Sequence, residues 1–206
     1  MIKTSDYIII FIKEVSDLTN EEKIIIATIS CIEKYGIDRT TIRKIGQEAG
    51  VNSAAINYYF RSKDTLIRRA LEIALDNAFD MENFKDSVGL PINERIISVM
   101  EGMTVGSIKF PNLTRALISG LLTTTDGDAP VVRKLHGFLD TLRDEIIKAR
   151  PEKSGAEIKR LLMQLSCATF LFPGIYQQFF KGFPEIDLTD DETRSEYIRD
   201  LVNKLL

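Results

Sequence analysis

The sequence predicts an all-α fold on three observations. Apolar residues recur at three- and four-residue spacing through most of the chain, no stretch alternates as a strand would, and hydroxyl or amide residues stand where several helical patterns begin. The 206 residues are 44% hydrophobic and 28% charged, ordinary values for a globular chain long enough to bury a core.

Taken in order, Thr19 and Glu22 have the spacing of a capping box. The helix they open is expected to end at Tyr35, before Gly36, with Ile24, Thr28, Cys31, Ile32 and Tyr35 on one face. The stretch Thr40 to Phe60, TTIRKIGQEAGVNSAAINYYF, reads as a helix, a tight turn at Gly50 and a second helix capped by Asn52. Such a pair lays its second helix in the DNA major groove with N-terminal residues at the base edges, and the small Ser53, Ala54 and Ala55 allow close approach there. Ile42, Ile45, Val51, Ile56 and Phe60 read as the core of this three-helix headpiece. Ser62 can cap a fourth helix carrying Leu66, Ala70, Ile73 and Ala74, stiff enough to connect the headpiece to a larger domain.

A broken, polar stretch from Glu82 to Asn93 precedes helical patterns over roughly 93–108 and 112–122, punctuated by Phe110 and Pro111. TTTDGD reads as a loop. Pro130 starts a helix with the stripe Val132, Leu135, Leu139, Leu142 and Ile146, ended by Pro151. The helix from Ser154 to about Phe172 is apolar on more than one side, and Pro173 and Gly174 should bend or stop it before IYQQFF resumes. Thr189 and Glu192 repeat the capping-box spacing before a last helix striped by Ile198, Leu201, Val202 and Leu205.

Charge divides the chain. The whole carries −3. Residues 42–70 hold Arg43, Lys44, Arg61, Lys63, Arg68 and Arg69 against Glu48 and Asp64, a net of +4 that leaves −7 for the rest. A cationic segment on an acidic body fits a molecule that meets DNA by one end. Cys31 and Cys167 sit in separate helical patterns, read as buried free thiols in a reducing, cytoplasmic setting. No His, Cys or carboxylate spacing matches a metal site, and no nucleophile–base pair or glycine-rich phosphate loop suggests an enzyme, so neither a cofactor nor catalysis is expected. The apolar run from Tyr7 is broken by Lys13 and Glu14 and is too short to span a bilayer; an extra helix, a disordered start and a membrane anchor are the readings open to it, in that order.

The segment IIIATISCIEKYGIDRTTIRKIGQEAGVNSAAINYYFRSKDTLI, with its G-x-x-x-T-T-I opening, AGV turn and aromatic exit before S-K-x-x-L, resembles the tetracycline-repressor (TetR) family of bacterial transcription regulators. It departs from the family pattern at Gly46 (usually Ala), Asn57 (commonly Tyr) and Ile32 (usually Phe), differences that bear on base preference. The resemblance implies a two-domain, all-helical homodimer that represses transcription and leaves its operator when a small molecule enters the larger domain. It also implies phosphate contacts from Thr41, Arg43, Tyr58, Tyr59 and Lys63, and base-edge contacts from Ser53, Ala54, Ala55 and Asn57. Each of the first set can donate to phosphate, and Asn57 can pair bidentately with adenine. A four-helix dimer interface is implied around Leu161, Leu165, Ile198, Leu201, Val202 and Leu205.

Met100, Met103, Phe110, Leu117, Phe138 and Phe170, with His136 beside its stripe, are candidate liners of a pocket for a small, largely apolar effector, since such a pocket wants adaptable Met and aromatic surface. Phe179 and Phe180 suit either pocket or interface. The expected organisation is thus an extension over residues 1–19, a DNA-binding domain over 20–66 and an effector-binding and dimerisation domain over 67–206. The expected partners are double-stranded DNA with a near-palindromic operator, a small-molecule effector and a second copy of the chain, with no membrane. The alternative keeps DNA binding but gives the larger domain to a protein partner or to no ligand.

Overall fold

The computed structural model describes residues 18–123, 129–177 and 186–206. The apolar run after Tyr7 and the pair Phe179 and Phe180 lie outside them, as does most of the TTTDGD loop. The described chain is helical, without a strand among the described residues. Its backbone forms two compact units, Met1–Asn77 and Ala78–Leu206.

The first unit begins with α1, Asn20–Tyr35, under the capping box foreseen: Thr19 Oγ1 accepts from the Glu22 amide at 3.2 Å, and the Glu22 carboxylate accepts from the Thr19 amide at 2.8 Å. Every residue from Ile24 to Ile32 is buried, so α1 is enclosed on all sides rather than along one face. Tyr35, expected on the buried face, is 43% exposed instead. Its ring lies past the end of the core and carries the Lys44 ammonium 4.0 Å from its centroid. Helices α2, Ile42–Ala49, and α3, Ser53–Phe60, follow, and α4, Lys63–Ala78, ends at the first residue of the second unit.

The second unit opens with a tight 3₁₀ segment, Met81–Ser87, kinked at Phe84, where a broken stretch was expected. Then come α5, Ile92–Lys109; α6, Pro111–Thr123; α7, Pro130–Ala149; and α8, Gly155–Ser166. A π-helical segment, Cys167–Leu171, leads into the four-residue α9, Phe172–Ile175, and α10, Asp191–Leu205, closes the chain. The π segment has a local cause. Pro173 has no amide to return to the helix and crowds the preceding turn, and the backbone widens so that the Phe172 amide reaches Cys167 O five residues back. The helix therefore passes through Pro173 and Gly174 and ends at Tyr176. Cys167 sits on the outer side and is exposed, so only Cys31 is the buried thiol expected of both.

Helix α5 is the axis of this unit, with α6, α7, α9, α10, the 3₁₀ segment and the π segment packed on it. α10 runs antiparallel to α5, registered by Ser195 on Glu101 at 2.7 Å, Arg199 on Glu94 and Asn93 on Asn203 at 2.9 Å. α7 and α8 form an antiparallel hairpin joined by Lys159 and Asp140 at 2.9 Å. The core holds Ile96, Met100, Leu142, Ile146, Ile158, Leu162, Leu165, Ile198 and Val202, all fully buried. Each such side chain contributes on the order of 1.5–3 kcal/mol by leaving water.

Of the residues expected at a dimer interface, Leu165, Ile198 and Val202 are buried in the core of this unit, and Leu161, Leu201 and Leu205 are half-buried at its margin. A helix stripe looks the same whether it meets its own chain or another. The last cap also shifts by one residue: Asp190, not Thr189, accepts from the Thr193 amide at 2.9 Å, while the Thr189 hydroxyl donates to Asp187.

Candidate DNA-binding surface

Thr41 caps α2, its hydroxyl accepting from the Lys44 amide at 3.3 Å. At the other end Gly50 takes a left-handed conformation (φ 69°, ψ 26°), and the Val51 amide bonds back to Gly46 O at 3.0 Å. The turn presses on α2 closely enough that a Cβ at Gly46 would stand 2.7 Å from Val51 O. That contact accounts for glycine where the family pattern has alanine.

Asn52 then caps α3, accepting from the Ala55 amide at 2.9 Å. Ile56 and Phe60, four residues apart, are its buried side and lie with Ile45 in the core, whereas Ile42 and Val51, expected there too, are half-buried. The opposite side carries Ala54, Asn57 and Tyr58, all exposed, with Ser53 exposed and Ala55 half-buried at the first turn. Tyr58 is 82% exposed, and its ring meets that of Tyr59 edge-on at 5.3 Å. A tyrosine so open makes no contribution to the core, which leaves its hydroxyl and ring edge for a partner.

α3 ends on Arg61, whose amide bonds Asn57 O at 3.0 Å. Its backbone, at φ 57° and ψ −35°, closes a γ-turn in which the Ser62 amide reaches Phe60 O at 2.6 Å. Positive φ in a residue with a Cβ is strained, at a cost of about 1–3 kcal/mol. Ser62 immediately caps α4, accepting from the Thr65 amide at 3.1 Å, so only Arg61 and Ser62 separate the helices and Lys63 stands at the start of α4.

Several cations of this unit are engaged by its own groups. Lys34 is bonded to Glu48, and Lys44 donates to Arg39 O at 2.9 Å over the Tyr35 ring. Arg69 meets Glu72. Arg43, Arg61, Lys63 and Arg68 make no ion pair among the described residues, and all but the half-buried Lys63 are exposed. Glu48, which would oppose them, is neutralised: the Lys34 hydrogen bond holds its carboxyl below its ordinary value, with help from the Ser30 hydroxyl. What remains is an exposed strip of small, amide, aromatic and cationic groups around α3, able to meet phosphate and base edges together. Thr41, Arg43, Ser53, Ala54, Asn57, Tyr58 and Tyr59 are exposed in this one headpiece, with Ala55 and Lys63 half-buried beside them. Arg61, not among the contacts expected from the sequence, continues the α3 stripe at the spacing 54, 57, 58, 61.

Residues 24–70 match the family described as bacterial regulatory proteins, tetR family. Residues 24–70, under a quarter of the chain, are thus a tetR-family segment. Comparison with curated proteins gave no match. Among solved structures, a tetR-family transcriptional regulator from Streptomyces coelicolor is similar at TM-score 0.63 and 16% identity, over 90% of this chain and 78% of that one. A transcriptional regulator from Rhodococcus sp. is similar at TM-score 0.64 and 15% identity, over 91% and 96% of the two chains. The regulator FadR from Bacillus subtilis, solved with stearoyl-CoA, is similar at TM-score 0.63 and 17% identity, over 89% and 98%. The tetR fold thus extends across the second unit, and the chain carries the helix-turn-helix of a DNA-binding transcription regulator.

In that second unit Met100, Phe138 and Phe170 are buried core residues, and Phe138 stacks near Phe79 at 5.4 Å and Phe84 at 6.3 Å. Met103 packs against this core, and Phe110 and Leu117 are half-buried. His136 is exposed, one residue off the buried stripe, and does not join the others. The buried polar groups are hydroxyls and one cation. Thr104 and Thr169 bond back along their helices to Met100 O at 2.6 Å and Leu165 O at 2.8 Å, and Ser107 bonds Thr104 O. Ser166 Oγ, fully buried, has no hydrogen-bond partner among the described residues. Arg95 is held by Glu145 at 3.0 Å, by Ser87 and by Phe84 O. Among the described residues no group of three or more His, Cys, Asp or Glu could hold a metal ion, and no helix is long and apolar enough to cross a membrane.

Proposed function

We propose that the chain is a dimeric repressor that reads a near-palindromic operator through α3 and leaves it when a small, largely apolar effector enters the second unit. The exposed stripe on α3, flanked by cations without ion pairs among the described residues, carries this reading. Arg43, Tyr58, Tyr59, Thr41 and Lys63 take the phosphates, and Ser53, Ala54, Ala55 and Asn57 take the base edges. Two copies place their α3 helices about 34 Å apart, one turn of DNA, so each half-site meets the same side chains.

The effector reading draws on the interior of the second unit. Its buried Met, Phe and hydroxyl side chains suit an apolar molecule, and the Ser166 hydroxyl, without a partner among the described residues, is a group that a ligand's polar atom can satisfy. FadR, of similar fold, was solved with stearoyl-CoA, which makes long acyl chains the first class to try. With Leu165, Ile198 and Val202 committed to the core, the dimer contact falls to side chains exposed on α8 and α10, among which Met163, 45% exposed, is the large apolar one. The test is operator binding by the full chain with and without ligand. Release by an apolar compound that also raises the melting temperature supports the reading; retention of DNA with every compound that stabilises the chain gives the second unit to another partner.

A further inference from the structure

Three described positions of the headpiece have positive φ, and where the other two are Gly36 and Gly50 the third is an arginine. Among the described residues Arg61 is the only non-glycine residue with positive φ. It is also the sole link between α3 and the Ser62 cap of α4, so the fold dictates the turn but not the side chain. A cation favours a helix C-terminus, yet that preference is met equally by residues of the last helical turn and needs no left-handed backbone. What position 61 alone offers is the end of the exposed stripe that begins at Ala54, one turn beyond Asn57 and Tyr58. Arg61 is exposed and makes no ion pair among the described residues.

We propose that Arg61 is a further phosphate contact, a positioning residue that clamps the DNA backbone at the C-terminal end of α3 and so fixes how deeply the helix sits in the groove. The proposal rests on the reading of α3 as the DNA-reading helix. Being planar and five-donor, the guanidinium can grip a phosphate with two parallel bonds, and the short turn gives its Cα little freedom to drift from the helix axis.

Arg61→Gly and Arg61→Lys separate fold from contact, because glycine relieves the backbone while removing the cation. The probe is a mixed-sequence DNA duplex of about 30 base pairs, three helical turns, titrated with full-length protein at several salt concentrations, alongside thermal melting. Arg61→Gly should melt at or above the wild type. It should bind about threefold or more weakly at moderate salt, with a logarithmic salt slope smaller by about 0.9 for each Arg61 that touches phosphate. Arg61→Lys should keep most of the slope. A glycine variant that melts lower, or that binds with wild-type affinity and slope, overturns the proposal. A wild-type chain that shows no salt-dependent binding at all overturns instead the reading of α3 on which it rests.

Discussion

Glu48 of α2 and Lys34 of α1 are joined at 2.5 Å, with the Ser30 hydroxyl donating to the same carboxylate oxygen at 2.9 Å. This brace ties the first helix of the helix-turn-helix to the enclosed α1 behind it. Because the Lys34 hydrogen bond lowers the Glu48 pKa, the brace is fully present above the ordinary glutamate value of about 4.3. It is lost as pH falls through the lower, folded value. Glu48→Gln should therefore cost on the order of 0.5–1 kcal/mol near pH 7, a figure held down because both side chains are partly exposed. The gap to wild type should close near pH 3, as measured by denaturant unfolding at both pH values.

Gly46 is a second point where the headpiece tolerates little change. A methyl group there would stand 2.7 Å from Val51 O, a backbone atom that cannot swing aside. Gly46→Ala should destabilise by about 1–3 kcal/mol, the usual cost of overpacking. It should also weaken DNA binding, since relief of the clash tilts α3 away from α2. Calorimetric melting and duplex titration of the same sample check both.

Lys44 and Lys63 both belong to the cationic segment of the sequence, yet the fold uses them differently. Lys44 donates to Arg39 O and covers Tyr35, whereas Lys63 makes no ion pair among the described residues. Lys44→Ala should lower the melting temperature and leave the salt slope of DNA binding unchanged. Lys63→Ala should do the reverse, reducing the slope by about 0.9 per contact.

In the second unit, Ser166 and Glu145 make opposite cases. The Ser166 hydroxyl is buried without a partner among the described residues, so Ser166→Ala should leave stability unchanged or raise it by up to about 1 kcal/mol. Glu145→Ala strands the buried Arg95 guanidinium with only Ser87 and Phe84 O. It should cost about 1.5–3 kcal/mol in urea unfolding, the range for hydrogen bonds to charged groups.

Much of this was legible in the sequence because caps and breakers act locally. Thr19, Asn52, Ser62, Pro130 and Ser154 each stand where a helix begins. Thr189 misled because its neighbour Asp190 caps as well, and spacing alone does not choose between adjacent candidates. The π segment before Pro173 was hidden: a proline reads as a stop, and whether the preceding turn widens depends on packing from α5. The stripes through Leu165, Ile198 and Val202 were visible but not their partner, since periodicity reports that a face is covered and not which chain covers it. At the DNA surface, residue types were readable, while the engagement of Lys44 and the turn at Arg61 arise from backbone geometry that no residue spacing encodes.

On the proposed function, the exposed face of α3 reads DNA sequence in two copies. The decisive experiment is selection by the purified full chain from a library of random duplexes, followed by sequencing. Enrichment of a near-palindrome with half-sites about one helical turn apart is expected, lost on Asn57→Ala at specific base pairs. A chain that is dimeric in the same buffer and enriches no sequence would contradict it.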